Sequence, residues 1–261
     1  MPLLLLYYIC VIFAISYLVC FCFSPFTVEP VGRKYQILGR DRRLPDDLRF
    51  AGGEVPLATT QDIQESLVSM LGSVREVLHD QGVTFWAVGH TLFGCHVASG
   101  LLPWVDSVEL GFFFDRKEHV RLLSCRPALQ EAGLQLTKRR NTYRITRKGY
   151  CFPYVDMWLM AERESEVAVC TPLSELNECT FRDSYHHHVR NHDMAHVFPL
   201  KPGQFEGLAI PLPSDPEACI RSHFGDNFRT VDWGSTSHMF NTKTRAVVSS
   251  FSEAALKSIS A

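Results

Sequence analysis

Acidic side chains set inside apolar runs are the first feature of this sequence that could do chemistry. Asp106 and Glu109 stand in the run Trp104-Val105-Asp106-Ser107-Val108-Glu109-Leu110. Asp156 stands in Tyr154-Val155-Asp156-Met157-Trp158. Carboxylates in such places are hard oxygen ligands for a divalent cation. Paired cations stabilise the attacking and leaving oxygens of an in-line phosphoryl displacement. Residues two apart on a strand share a face, so Glu109 shares one with Ser107 and Val105. Asp106 is one step out of register and faces the other way on an ideal strand, unless a bulge turns it inward. Upstream lies Gly89-His90-Thr91-Leu92-Phe93-Gly94. A glycine turn entering a helix offers backbone N–H groups to a phosphate. The His90 side chain would crowd a phosphate that came close to that backbone.

Two further clusters carry potential chemistry. His186, His187, His188, His192, Asp193 and His196 are close in sequence. His192 and His196, four apart, could share a helix face and bind zinc, but no HExxH pattern is present and a polar surface loop with a run of histidines is the favoured account. Clustered imidazoles could also sense pH. Lys138, Arg139, Arg140, Arg144, Arg147 and Lys148 form a basic stretch, either a solvated face or an attractor for a diphosphate or acidic glycan. No nucleophile-elbow pattern supports a hydrolase.

The elements that must position these residues follow from periodicity. Ile63, Leu67, Met70, Leu71, Val74, Val77 and Leu78 predict one amphipathic helix, capped by Thr59 or Thr60 and ended by Gly82. Strands are expected over 83–88, 108–114 and 154–160, and short helices over 91–98 and 217–224. Residues 116–130 read as a helix that Pro127 disturbs. Residues 134–138 and 143–147 should form a hairpin around Arg139-Arg140-Asn141. Strands interleaved with helices imply an α/β fold, an α+β mixed sheet.

The order of these motifs resembles the LicD/fukutin family of phosphotransferases. The resemblance runs from Val83 to Phe228. It rests on Thr91-Leu92-Phe93-Gly94, on Pro103-Trp104 followed by acids entering a strand, and on the Val155-Asp156-Met157 step. Val197-Phe198-Pro199-Leu200, Phe205-Glu206-Gly207, Ile210-Pro211-Leu212-Pro213 and Phe224-Gly225 add to it. It implies a nucleotidyltransferase-like domain moving a phosphorylated alcohol, of ribitol phosphate or phosphocholine type, from a CDP-linked donor to a glycan or glycoprotein. It implies Mg2+ or Mn2+ held by Glu109, Asp156 and Asp106, which would be the candidate catalytic acids. Gly89, His90, Thr91, Gly94 and Arg144 would then bind the donor. The family usually carries acids at the positions of Val105, Ser107 and Glu109, and a glycine where His90 stands. This chain keeps one of those three acids. A binding or scaffold protein with an eroded metal site is therefore the alternative.

The 261-residue chain has a net charge of -2, without the basic excess of a nucleic-acid binder. Residues 3–23 hold no charged side chain and are long enough to span a bilayer. They read as an uncleaved anchor over 1–24, with a cleaved signal peptide as the other possibility. A stem over 25–60, a domain over 61–234 and a Ser-rich polar tail over 235–261 follow. Arg33, Lys34, Arg40, Arg42 and Arg43 would by charge place the downstream side in the cytosol. The resemblance would place it in the Golgi or ER lumen. Cys95, Cys125, Cys151, Cys170, Cys179 and Cys219 permit disulfides without specifying them. No N-glycosylation sequon is present.

Overall fold

A computed structural model describes residues 34–50, 59, 61–172, 179–181, 191–231, 240–241 and 246–247. The expected anchor and most of the expected tail lie outside the described residues. None of the described helices is long and apolar enough to cross a membrane.

Part of the stretch expected as a stem has regular structure. Strands β1 (Lys34–Ile37) and β2 (Arg40–Arg43) pair antiparallel, and β3 (Arg49–Phe50) follows. Tyr35 and Ile37 alternate into the core, with Leu44 and Leu48 behind them. The charges around them hid this period-two signal, which spans only two residues.

Helix α1 (Gln61–Asp80) buries Leu67, Met70, Leu71, Val74 and Leu78, as their spacing predicts. Strand β4 (Phe85–Ala87) leads into α2 (Gly89–Ala98), which starts two residues before its expected position. Strand β5 (Ser107–Phe113) follows. The helix expected over 116–130 is two, α3 (Arg116–Ser124) and α4 (Arg126–Glu131). Pro127 sits in the first turn of α4, where its missing N–H costs nothing. Strands β6 (Leu134–Lys138) and β7 (Thr142–Arg147) make the expected hairpin. Strand β8 (Tyr154–Arg163) turns back into β9 (Glu166–Pro172), which pairs with β10 (Cys179–Phe181) and β11 (His192–Asp193). After α5 (Met194–Val197) come the hairpin of β12 (Lys201–Phe205) and β13 (Leu208–Leu212), then α6 (Pro216–Phe224). β14 (Thr230–Val231) pairs with β3, and β15 (Phe240–Asn241) pairs with β16 (Ala246–Val247).

The main sheet is mixed, as expected. β5 and β8 are parallel, while β4 joins β5 and β7 joins β8 antiparallel. Alternation gives it two unlike faces. Val108, Leu110, Phe112, Tyr143, Ile145, Val155, Met157 and Leu159 point one way and share the core with Leu67, Leu71, Val74 and Leu78 of α1. Register places Trp86, Ser107, Glu109, Gly111, Arg144, Tyr154 and Asp156 on the other face. Gly111 has no alternative there, because a Cβ would enter the Trp86 indole.

The β12–β13 turn braces the start of this second face. Glu206 and Gly207 both have positive φ, as a two-residue hairpin loop requires. The Glu206 carboxylate accepts the Leu101 N–H at 2.8 Å and an Arg42 N–H at 2.8 Å. Arg42 also donates to the Ala98 carbonyl. Strand β2 and the β12–β13 turn thereby hold the α2–β5 connection.

Candidate functional site

Strand register builds the site as two polar rungs across three strands. Arg144, Asp156 and Glu109 form one rung, because Arg144 is opposite Asp156 and Asp156 is opposite Glu109. Thr146, Tyr154 and Ser107 form the next. The parallel β5–β8 pair thus brings together Glu109 and Asp156, residues far apart in sequence.

Each acid of the first rung meets a donor from this chain. Asp156 accepts two hydrogen bonds from Arg144, Nε to Oδ1 and Nη2 to Oδ2, both 2.8 Å. This is the bidentate fork that carboxylates and guanidinium groups favour. The Arg144 guanidinium also lies over the Tyr154 ring, 3.5 Å from its centre. Burial pulls the Arg144 pKa down, but Asp156 outweighs it and the net shift is upward. Glu109 Oε2 accepts the His90 backbone N–H at 2.7 Å, and the His90 Nδ1 lies 3.2 Å away. The Glu109 N–H donates to Thr91 Oγ at 2.7 Å, and the Val88 N–H donates to the Glu109 carbonyl.

The α2 N-terminus therefore presents its first turn to Glu109. Gly89, at φ +53, makes the bend that aims it. His90 binds the Glu109 carboxylate with main chain and ring together. Gly94 lies elsewhere on α2. Its missing Cβ leaves room for the Gly100 carbonyl, so its glycine serves close packing of the α2–β5 connection.

Asp106 lies just ahead of β5, which begins at Ser107, so strand alternation assigns it no face. It is buried, and its charge acts on the Tyr154 hydroxyl together with those of Asp156 and Glu109. Burial pushes the Tyr154 pKa up first; Arg144 lowers it and the three acids raise it further. Tyr154 thus reports all three acids from one position. Sequence reasoning passed over it; the available signal was its place two residues before Asp156, on the same face. Val105 lies outside β5 as well, its N–H bonded to the Leu102 carbonyl in a turn.

The donor chemistry of Asp106, Glu109 and Asp156 suits a hard dication. Three carboxylates against one guanidinium leave the cluster anionic. Among the described residues, no group of three His, Cys, Asp and Glu side chains is placed to hold a metal ion. Independently of that placement, a cation at Asp156 would share the carboxylate with the full positive charge of Arg144. Two unit charges 4 Å apart interact by roughly 4 kcal/mol at a near-surface dielectric, and a dication doubles that.

The other candidate clusters behave differently. His186, His187 and His188 lie outside the described residues. His192 is buried on β11, and burial, then His196, lower its pKa to about 4. Asp193 caps α5 by accepting the Ala195 N–H. In the basic hairpin Lys138, Arg139, Arg140, Arg147 and Lys148 are exposed, and Arg144 turns onto the site. Cys95, Cys125, Cys151 and Cys219 are free thiols. Burial pushes Cys95 and Cys219 up to about 12.

The family model described as LicD/FKTN/FKRP, nucleotidyltransferase domain, matches residues 82–215, just over half of the chain. The Rickettsia prowazekii (strain Madrid E) protein called Uncharacterized protein RP689 is 23% identical over 152 residues. That match covers 58% of this chain and 51% of the relative, so the chain spans about half the length of the curated relative it matches. Among solved structures, the lincomycin-bound lincosamide antibiotic adenylyltransferase LnuA is similar at 10% identity and a TM-score of 0.34. That likeness covers 61% of this chain and 94% of LnuA. The apo form of Vibrio cholerae DncV is similar at 14% identity and a TM-score of 0.26, over 48% of this chain and 38% of DncV.

Proposed function

From the premise that the chain belongs to the LicD/FKTN/FKRP nucleotidyltransferase domain family, we propose that it transfers a phosphorylated alcohol from a CDP-linked donor to a glycan or glycoprotein. The alcohol phosphate is of ribitol phosphate or phosphocholine type. The apolar segment 3–23 tethers the protein to a membrane, with the domain in the Golgi or ER lumen. One observation carries this reading: the Arg144–Asp156–Glu109 rung faces the same side of the sheet as Tyr154, and α2 starts beside it.

Within this proposal Glu109, Asp156 and Asp106 are the residues that would hold Mg2+ or Mn2+. The metal, when bound, supplies charge neutralisation for the phosphates. Arg144 supplies a planar donor edge suited to phosphate oxygens. His90 and Thr91 fix Glu109 through its carboxylate and its backbone, so that its position does not depend on ligand.

A second reading is favoured by the Arg144 fork together with the valine and serine at 105 and 107. In it the protein binds or scaffolds a nucleotide-linked partner without transferring anything. Calorimetry with CDP and Mn2+, alongside a transfer assay with radiolabelled CDP-ribitol and CDP-choline, separates the two. Binding and transfer support the first, binding without transfer supports the second, and no binding of CDP removes both. Asp156→Asn should abolish the Mn2+ response; a surviving response would leave Asp156 a structural strand residue.

A further inference from the structure

Arg144 is placed to do two incompatible things. It neutralises Asp156 through both carboxylate oxygens, and it is the guanidinium closest in register to the acids a cation would use. The pair is asymmetric in exposure: the Asp156 side chain is 6% exposed and the Arg144 side chain 25%. Asp156 is fixed in the sheet, whereas Arg144 reaches it on a long side chain with one edge towards solvent. The Tyr154 ring packs against the guanidinium, and the Tyr154 side chain also hydrogen-bonds it, so Arg144 keeps a second partner when it gives up Asp156.

We propose that Arg144 is an exchangeable internal cation that couples divalent metal and diphosphate binding, giving up Asp156 when a nucleotide diphosphate offers its own oxygens. The inference rests on the nucleotide-linked donor proposed above. The cluster without ligand is anionic, so a diphosphate alone is repelled by Glu109 and Asp106. A metal alone meets Asp156 already paired and a guanidinium beside it. Bound together, the diphosphate takes the guanidinium and the dication takes the released carboxylate. Each ligand thereby removes the obstacle to the other, which is positive coupling between two sites and must be reciprocal. No bond is made or broken in the exchange except hydrogen bonds and metal–oxygen contacts.

A plain structural salt bridge would sit in the same place, and thermal melting of the full chain in detergent tells them apart. The parent should shift little with Mn2+ alone or CDP alone, and by more than the sum with both. Arg144→Gln removes the guanidinium fork from Asp156 and should bind Mn2+ alone at least about tenfold more tightly than the parent, because a full positive charge has left a half-buried site. Its response to CDP with Mn2+ should fall to the sum of the separate shifts. Arg144→Lys keeps the charge without the fork and should lie between the two, which holds even if the glutamine variant folds poorly. Additive shifts in the parent, or equal Mn2+ shifts in the parent and Arg144→Gln, overturn the exchange while leaving nucleotide binding intact. Absence of any CDP response in all three proteins overturns the exchange and the donor proposal together.

Discussion

His90 donates its backbone N–H to Glu109 Oε2 at 2.7 Å, so the carboxylate serves as anion for the helix that begins at Gly89. Helix N-termini favour negative charge because their first N–H groups point outward and the peptide dipoles align. Glu109 is thus structural before any ligand arrives. Glu109→Ala would strand the His90 N–H and leave a void in a buried place. We expect a loss of about 2 kcal/mol in urea unfolding of the ligand-free protein. A residue used only to bind ligand behaves oppositely, since removing crowded charge stabilises an empty site. An unchanged or higher midpoint would show that Glu109 has no such structural part.

Gly94→Ala tests why the Thr-Leu-Phe-Gly motif ends as it does. The added methyl overlaps the backbone carbonyl of Gly100, which cannot rotate away as a side chain would. Overpacking of this kind costs about 1–3 kcal/mol. The loss should appear in chemical denaturation and should be the same with and without CDP and Mn2+. A loss confined to CDP binding would instead put Gly94 in the donor site.

The difference between what the sequence made legible and what it did not has a physical pattern. The α1 stripe, the strands around Glu109 and Asp156, and the β6–β7 hairpin were all legible, because each is a local period ending in a local signal. The partners of the acids were not. Arg144 reaches Asp156 only because the β7–β8 register sets them opposite, and that depends on how residues 148–153 return the chain. Asp106 was judged by strand alternation, yet the strand starts one residue later. The Arg42–Glu206 pair joins positions 164 residues apart and leaves no trace in any local window.

The buried His192 gives the protein an acid limit. Its folded pKa is about 4 against an ordinary value of 6.5, with burial the main cause. The unfolded chain therefore takes up a proton first as pH falls, and the stability present above about 6.5 drains away down to about 4. At about 1.4 kcal/mol per pKa unit the total is on the order of 3 kcal/mol. Urea midpoints measured from pH 7.5 to 4.5 should fall, and His192→Phe should flatten that slope. A slope unchanged by the substitution would assign the acid sensitivity to other groups.

Ser107 and Val105 stand where the family usually has acids, but the fold gives them different surroundings. Ser107 opens β5, in the rung opposite Tyr154 and on the face of Glu109. Val105 is a buried residue of the preceding turn and lies outside the ladder. Ser107→Asp adds a carboxylate to an already acidic face. It should lower the melting point of the metal-free protein, by roughly 1 kcal/mol of like-charge repulsion. The same charge attracts a dication, so the variant should recover more stability from Mn2+ than the parent does. Val105→Asp buries a carboxylate without a place on that face, so it should destabilise by a few kcal/mol and gain nothing extra from Mn2+. Thermal melts of the two single variants with and without Mn2+ separate these cases. An equal Mn2+ gain in both would mean that the turn contributes to the metal face, and the assignment by strand register would fail. No gain in Ser107→Asp would leave the second rung outside the metal face altogether.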